Sequence, residues 1–349
     1  MLIAWNGPLA GQSLDALAGF GALVFAMVFL LALWIDARWG EPRPALHPVV
    51  AMGRYLRACG RITASLPPAS AFVLGALAWW VGALVTGLLA WGLQTLVQRQ
   101  VAGLIAASDP DGALLAALLV ALMAWLLKAM FSWRMLHDEV GAVEAALKQS
   151  LEAGRERLSW LVSRNTLLLN ESEVRESAIE SLAENLNDSV VAPIFWFVLF
   201  GLPGAAIYRF ANTADAMWGY RGIYKGENWE WAGKWAARAD DVLSWLPARL
   251  TAFLLALVAG GLSLKTLRTL QREARKTPSP NSGWPMAAMA LVLGVSLRKP
   301  GVYTLNPEGK PPQAPDTISA QGHASKVVLM LSLFVLAAIV FIANTYSSL

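Results

Sequence analysis

Long stretches free of charge alternate with short polar ones along this chain, and their spacing predicts helices that cross or enter a membrane. Residues 16–35, 69–98, 112–133 (with Lys128 near the end) and 327–349 are such runs. Each is close to or above the roughly 20 residues that a helix needs to span a bilayer core, which predicts about four full transmembrane helices. Residues 250–264 and 285–297 are apolar but shorter, and predict half-inserted or packed helices. Nineteen uncharged residues from Val190 to Tyr208 are broken by Gly201-Leu202-Pro203-Gly204. The part before the break reaches only about 16 Å as helix, half of a bilayer core. A helical hairpin that enters and returns would leave the polar runs on its two sides, 177–189 and 209–221, at one membrane surface. The expected fold is an all-α polytopic membrane protein. It is read as a single integral-membrane domain over 1–349, with re-entrant segments near 190–208, 250–264 and 285–297.

The polar stretches carry a helical period of their own. Residues 134–160 place Val140, Val143, Ala146, Leu147, Leu151 and Leu158 at helical spacing, predicting one long amphipathic helix with a structural role. A second helix is expected to start after Asn170, an N-cap residue followed three positions on by Glu173, the pattern of a capping box. On that helix Glu180, Glu184 and Asp188 recur at i, i+4 and i+8, so three carboxylates stack on one face.

Hydrophobic residues make up 56% of the chain and charged ones 15%, with sixteen Trp, which excludes an ordinary soluble domain. Charge placement then sets an orientation. Arg99 is the only base in the segments that four crossings put on one side (1–15, 99–111 and the C-terminal end), leaving 27 of the 28 elsewhere. Basic loops mark the cytoplasmic side. Residues 36–68 and 134–326 are therefore expected to face the cytoplasm from an inner membrane, with both termini outside. Membrane lipid accounts for the net charge of +4, and no nucleic-acid partner is expected. The single cysteine, Cys59, excludes an intramolecular disulfide and a Cys-based metal cluster. No basic n-region or A-x-A site precedes residues 16–35, so that run is read as a retained span.

Stacked like charges repel unless a cation sits among them; the alternative is a solvated helix face. Asp188 immediately precedes the apolar segment, where a solvated acid is costly. Asn185, Asn187 and Asn212 add amide oxygens suited to a hard cation or a phosphate-bound Mg²⁺. Asn212 and Asp215 lie just beyond the same segment, between Arg209 and Arg221. Carboxylates with arginines suit phosphate held through a metal and a charge-assisted fork. Asp240, Asp241 and Arg249 precede another apolar stretch. Adjacent acids point to different helix faces, so at most one of the two meets a metal directly, and a plain surface pair is the alternative. Asp36, His47 and Arg54 occupy the first polar loop, where a lone histidine is more often structural than catalytic. Trp218, Trp229, Trp231 and Trp235 either line a cleft or anchor the chain at the headgroup level. The chain has no Walker A loop, GxGxxG, GxSxG or HExxH, so any ATP is bound without a P-loop.

Five strings in order, DARWGEPRPALHPV (36–49), SLAENLNDSVVAP (181–193), NTADAMWGYR (212–221), ADDVLSWLPARL (239–250) and SPNSGWPMAAMA (279–290), resemble the CobD/CbiB family, adenosylcobinamide-phosphate synthase. The likeness runs from about Asp36 to Asp316. It implies a polytopic inner-membrane enzyme of late cobalamin biosynthesis, with ATP and Mg²⁺ as cofactors and other late cobalamin-pathway enzymes as partners. The implied reaction joins a carboxylate of adenosylcobyric acid to the amine of (R)-1-amino-2-propanol (aminopropanol), or of aminopropanol phosphate, in an amide bond.

Position by position, the resemblance implies Glu184, Asn185, Asp188, Asn212 and Asp215 at the Mg-nucleotide centre, supported by Asp240, Asp241 and Arg249. Arg164, Arg209, Arg221 and the Asn281 loop would contact phosphate or corrinoid amides, and Asp36, His47 and Arg54 would close the pocket. Glu184, Asp188, Asp215 and Asp241 are the implied metal ligands, and Glu184, Asp188, Asp215 and Asn212 the implied catalytic set. Two positions depart from the family pattern: neutral Asn165 follows Arg164 where an acid is expected, and Ser189 replaces a glycine after Asp188. An AmpE-like membrane sensor on the same scaffold, without ligase activity, is the alternative, and the intact acid–amide set argues against it. A cation transporter would need an acid in the middle of a long span, and none of the four runs has one.

Overall fold

A computed structural model describes residues 14–107, 110–261 and 264–347. Among them the chain forms helices α1 (Leu14–Trp39), α2 (Pro48–Thr63), α3 (Pro68–Ala107), α4 (Pro110–Lys128), α5 (Trp133–Leu147), α6 (Leu151–Leu158) and α7 (Glu171–Leu186). A π-helical turn, Asn187–Val191, leads into α8 (Ala192–Trp218), followed by α9 (Trp229–Ala232), α10 (Lys234–Val258), α11 (Leu264–Ala274), α12 (Gly283–Leu293) and α13 (Ala314–Ser347). Among the described residues strand is confined to two antiparallel ribbons, β1 (Ile223–Tyr224) with β2 (Glu227–Asn228) and β3 (Leu297–Lys299) with β4 (Tyr303–Leu305). The all-α class is thus the one the chain adopts.

Among the described residues five helical stretches are long and apolar enough to cross a membrane: Gly21–Trp39, Pro68–Leu104, Glu171–Trp218, Lys234–Val258 and Ala314–Phe341. A sixth arises if Gly112–Lys128 and Trp133–Leu147, bent by 41°, act as one span. Sequence had suggested about four. The difference lies partly in 250–264, whose residues up to Val258 prove to be the apolar end of α10, a 25-residue helix whose charged first half masks its length. The expected helix over 134–160 is also two helices. Ser150 accepts a hydrogen bond from the Ala153 N–H at 3.0 Å and starts α6 afresh, and Gly154 leaves room for the Leu147 side chain where a Cβ would collide.

Contacts among the described residues divide the chain into two compact units. The first holds the residues up to Ser132, Pro193–Val242 and those from Leu333 on. In it α1 packs on α4, and Phe25 and Phe29 stack on Phe197 with ring centroids 5.4 and 6.4 Å apart. Trp218 is fully buried, donates its indole N–H to the Leu56 carbonyl at 3.2 Å and stacks on Trp229, so it is a packing residue rather than an anchor. Gly201 interrupts α8 with φ 70° and ψ −157°. The N–H of Leu202, freed by that break, donates to the side-chain oxygen of Gln94 at 2.8 Å, which settles a backbone donor that lipid cannot satisfy.

The second unit comprises Trp133–Ala192 and Leu243–Ser332. Its α7 opens with the capping box read from sequence: the Glu173 N–H donates to the Asn170 side chain at 3.0 Å, and the Asn170 N–H to the Glu173 carboxylate at 2.8 Å. Such a cap stabilises a helix by about 1 kcal/mol. Most of α7 is buried against α5, α6 and α12. Arg175 forks onto Glu144 of α5 with two bonds of 2.9 Å, a bidentate pairing that fixes the helix in rotation.

Candidate functional site

One face of α7 forms the wall of a polar cavity of about 320 Å³ in the second unit. Arg164, from the loop before α7, donates to Glu180 Oε2 at 2.7 Å. Lys299 and Tyr303, from the β3–β4 ribbon, line the same space with Ser177, Glu184 and Asn185. The ribbon is held in place next door. Arg298 donates its backbone N–H to Glu176 at 3.0 Å and its guanidinium to the same carboxylate at 2.9 Å, and Glu176 is only 1% exposed. Burial, then the negative charges of Glu180 and Glu184, push the Tyr303 phenol well above its usual range.

Three atoms in this wall, Ser177 Oγ, Glu180 Oε1 and Arg164 Nη1, are buried without a hydrogen-bond partner. A buried polar atom left unsatisfied costs about 1–3 kcal/mol, and a cluster of them marks a place where water, an ion or a ligand can bind. Glu184 has the charges of Asp188, Glu180, Lys299 and Arg164 around it. The π-helical turn begins one residue before Asp188. Asp188 accepts a hydrogen bond from the Asn187 amide at 2.7 Å. Asn185 donates back to the Ser181 carbonyl at 3.0 Å.

The carboxylate beside Arg164 therefore comes from Glu180, sixteen residues on, and not from position 165. Asn165 accepts instead from the Leu167 N–H at 2.9 Å and shapes the loop. Glu180 entered the sequence reading only as a member of the carboxylate stack. Ser177, Lys299 and Tyr303 did not enter it, because their meeting depends on how a distant ribbon packs.

Arg249 and Asn281 are also brought together. The guanidinium of Arg249 donates to Asn281 Oδ1 at 2.6 Å, to the Trp245 carbonyl at 2.8 Å and to the Pro280 carbonyl at 3.0 Å. It lies between two indoles, 4.6 Å from the Trp245 ring and 4.8 Å from that of Trp284. Loop 278–282 thus stands as a wall, with Pro278 and Ser279 lining both the polar cavity and a second one of about 660 Å³.

The remaining residues implied by sequence belong to the first unit. Asn212 donates to Asp240 at 3.4 Å, and Asp241 has Arg221 as its charged neighbour. Arg209 and Asp215 are half-buried on α8, and Arg54 is exposed on α2. Asp36 and His47 belong to a cluster around Lys128: its ammonium lies 3.1 Å from Asp36 and 2.6 Å from Glu41, whose other oxygen meets His47 Nε2 at 2.9 Å.

Among the described residues no three His, Cys, Asp or Glu side chains are grouped to hold a metal by themselves. Mg²⁺ in phosphate sites takes one or two carboxylates and completes its shell with phosphate and water. Glu184 and Asp188, in mutual electrostatic reach, meet that smaller demand.

The family described as CobD/Cbib protein matches residues 29–332. The "Probable cobalamin biosynthesis protein CobD" of Thermococcus kodakarensis is 43% identical over 82% of this chain and 87% of its own length. The protein so named in Methanothrix thermoacetophila is 35% identical over 88% and 94%. The "Cobalamin biosynthesis protein CobD" of Dehalococcoides mccartyi is 37% identical over 84% and 90%. No solved structure matches. With a family match across 29–332 and relatives alike over nearly their whole length, the chain belongs to the CobD/CbiB family.

Proposed function

We propose that this protein is an adenosylcobinamide-phosphate synthase of cobalamin biosynthesis, a multi-pass inner-membrane enzyme whose site faces the cytoplasm. It joins a carboxylate of adenosylcobyric acid to the amine of (R)-1-amino-2-propanol or its O-phosphate, consuming ATP. The observation that carries this reading is the polar cavity on α7, where Arg164 and Lys299 share one space with Glu180 and Glu184 and three buried polar atoms lack partners. Such mixed charge suits a ligand pair that brings phosphate and amine together.

A carboxylate is a poor electrophile. Its oxygen attacks the terminal phosphorus of ATP, ADP leaves, and the corrinoid carries an acyl phosphate. The amine nitrogen then attacks the carbonyl carbon, phosphate departs with the bonding pair, and the nitrogen loses a proton. Arg164 Nη1 is the donor free to meet a phosphate oxygen, and Lys299 adds a second positive charge. The Tyr303 phenol keeps its proton at neutral pH and serves as a donor. Glu180 Oε1, the carboxylate oxygen without a partner, takes the proton from the amine. Mg²⁺ bound to the phosphates would neutralise their charge, with Glu184 and Asp188 holding it.

Glu180→Gln tests this assignment, since it keeps the shape and the acceptor for Arg164 but cannot take a proton. Turnover is expected to fall by about 10²-fold or more with the Michaelis constant for the corrinoid little changed. Near-normal turnover in a folded variant would remove Glu180 from the reaction.

A further inference from the structure

We infer that the second cavity, bounded by α10, α11 and loop 278–282, is the subsite for the base of the nucleotide; the inference rests on the ligase reading above. Its volume is about 660 Å³, and Trp245, Trp284, Arg249, Gln271, Arg275 and Ser279 line it with no carboxylate among its lining residues. Two indoles and two arginines without an acid suit a flat, electron-rich ring. A compact amine substrate offers no ring, and a cation would be repelled.

Arg249 is the positioning residue of this subsite. Its guanidinium is spent on the Asn281 side chain and two carbonyls, and it holds both indoles in place. Trp245 remains 54% exposed although Arg249 lies over its ring, so a heteroaromatic ring has an indole on which to stack. Arg275 is exposed and supplies the free positive charge. The hydroxyl of Ser279 accepts from the N–H groups of Asn281 and Ser282 at 3.2 and 3.3 Å, which leaves its own proton for a ring nitrogen. The shared wall of Pro278 and Ser279 gives the arrangement direction, with the base on the tryptophan side and the phosphates on the side of Arg164 and Lys299.

The test is photolabelling of the purified full-length protein in detergent with 8-azido-ATP and Mg²⁺, mapping of the labelled peptides, and ATP affinity of Trp245→Ala. Label that ATP displaces is expected within 245–284, and the substitution is expected to weaken ATP binding about tenfold while the Michaelis constant for the corrinoid stays put. Displaceable label mapped wholly elsewhere would overturn the subsite and leave the ligase reading standing. Absence of any ATP-displaceable label would overturn both. A weakened corrinoid with unchanged ATP affinity would assign the cavity to the corrin ring instead.

Discussion

Lys128 shows what a single buried charge does in this chain. Its side chain has no exposed surface, and its ammonium is held by Asp36, Glu41 and the Phe131 carbonyl. His47 closes the cluster from the other end: Nε2 meets Glu41 at 2.9 Å, and Nδ1 accepts the Val49 N–H at 3.2 Å, which caps α2. Removing one partner from a buried charge cluster costs about 3–5 kcal/mol, because the others stay buried without compensation. Burial raises the affinity of Glu41 for a proton, but His47 and Lys128 outweigh it and hold its carboxyl below the ordinary value of 4.5. A group depressed in this way contributes stability that is fully present above the unfolded value and is lost as pH falls through the folded one. Melting in detergent is therefore expected to weaken as pH drops below about 4.5. Lys128→Met should lower the midpoint at neutral pH and blunt that acid limb. A variant that melts like the parent would show the cluster to be dispensable.

At the scale of elements, the break in α8 is the most consequential local feature. Gly201 sits at a positive φ that other residues adopt only with strain, and a Cβ there would run into the Gln94 amide. Gly201→Ala is expected to destabilise the protein by about 1–3 kcal/mol. Gly92→Ala on α3, where the added carbon meets nothing within 4 Å beyond its own stretch of helix, should be neutral or stabilising. Equal melting points for the two variants would contradict the strained break. The glycine and proline at this point were legible in sequence, as were the α7 capping box and the runs that became α1, α3 and α13, since each depends on local chemistry. α10 was half-hidden because Arg238, Asp240 and Asp241 interrupt its apolar pattern. The stop at Ser150 was missed because a cap competes with helical periodicity and wins only in context. Glu184 and Asn185, which one string of the resemblance carries, and Arg164, which the resemblance implies, are three sequence-read residues that line the cavity. Ser177, Lys299 and Tyr303 were not legible, since a hydroxyl, a lysine and a phenol far apart in sequence carry no pattern until α7 and the β3–β4 ribbon pack together.

For the whole molecule, the apolar helices and the polar cavities divide the work. Helices with much of their apolar surface exposed, such as α3 with Leu84, Leu88 and Leu89, supply a lipid-facing frame. The second unit gathers Arg164, Glu180, Glu184, Lys299 and Tyr303 in one small cavity and Trp245, Arg249 and Trp284 beside another. The account stands on this gathering having a catalytic purpose, the ATP-driven joining of a corrinoid carboxylate to a small amine. The most direct measurement is the mass of the corrinoid after incubating the purified protein with ATP, Mg²⁺, adenosylcobyric acid and either aminopropanol or its O-phosphate. The account predicts an amide product with one amine, made only when ATP is present, with ADP and phosphate released in equal amounts. An unchanged corrinoid with both amines, from protein that is folded and binds the corrinoid, would contradict it.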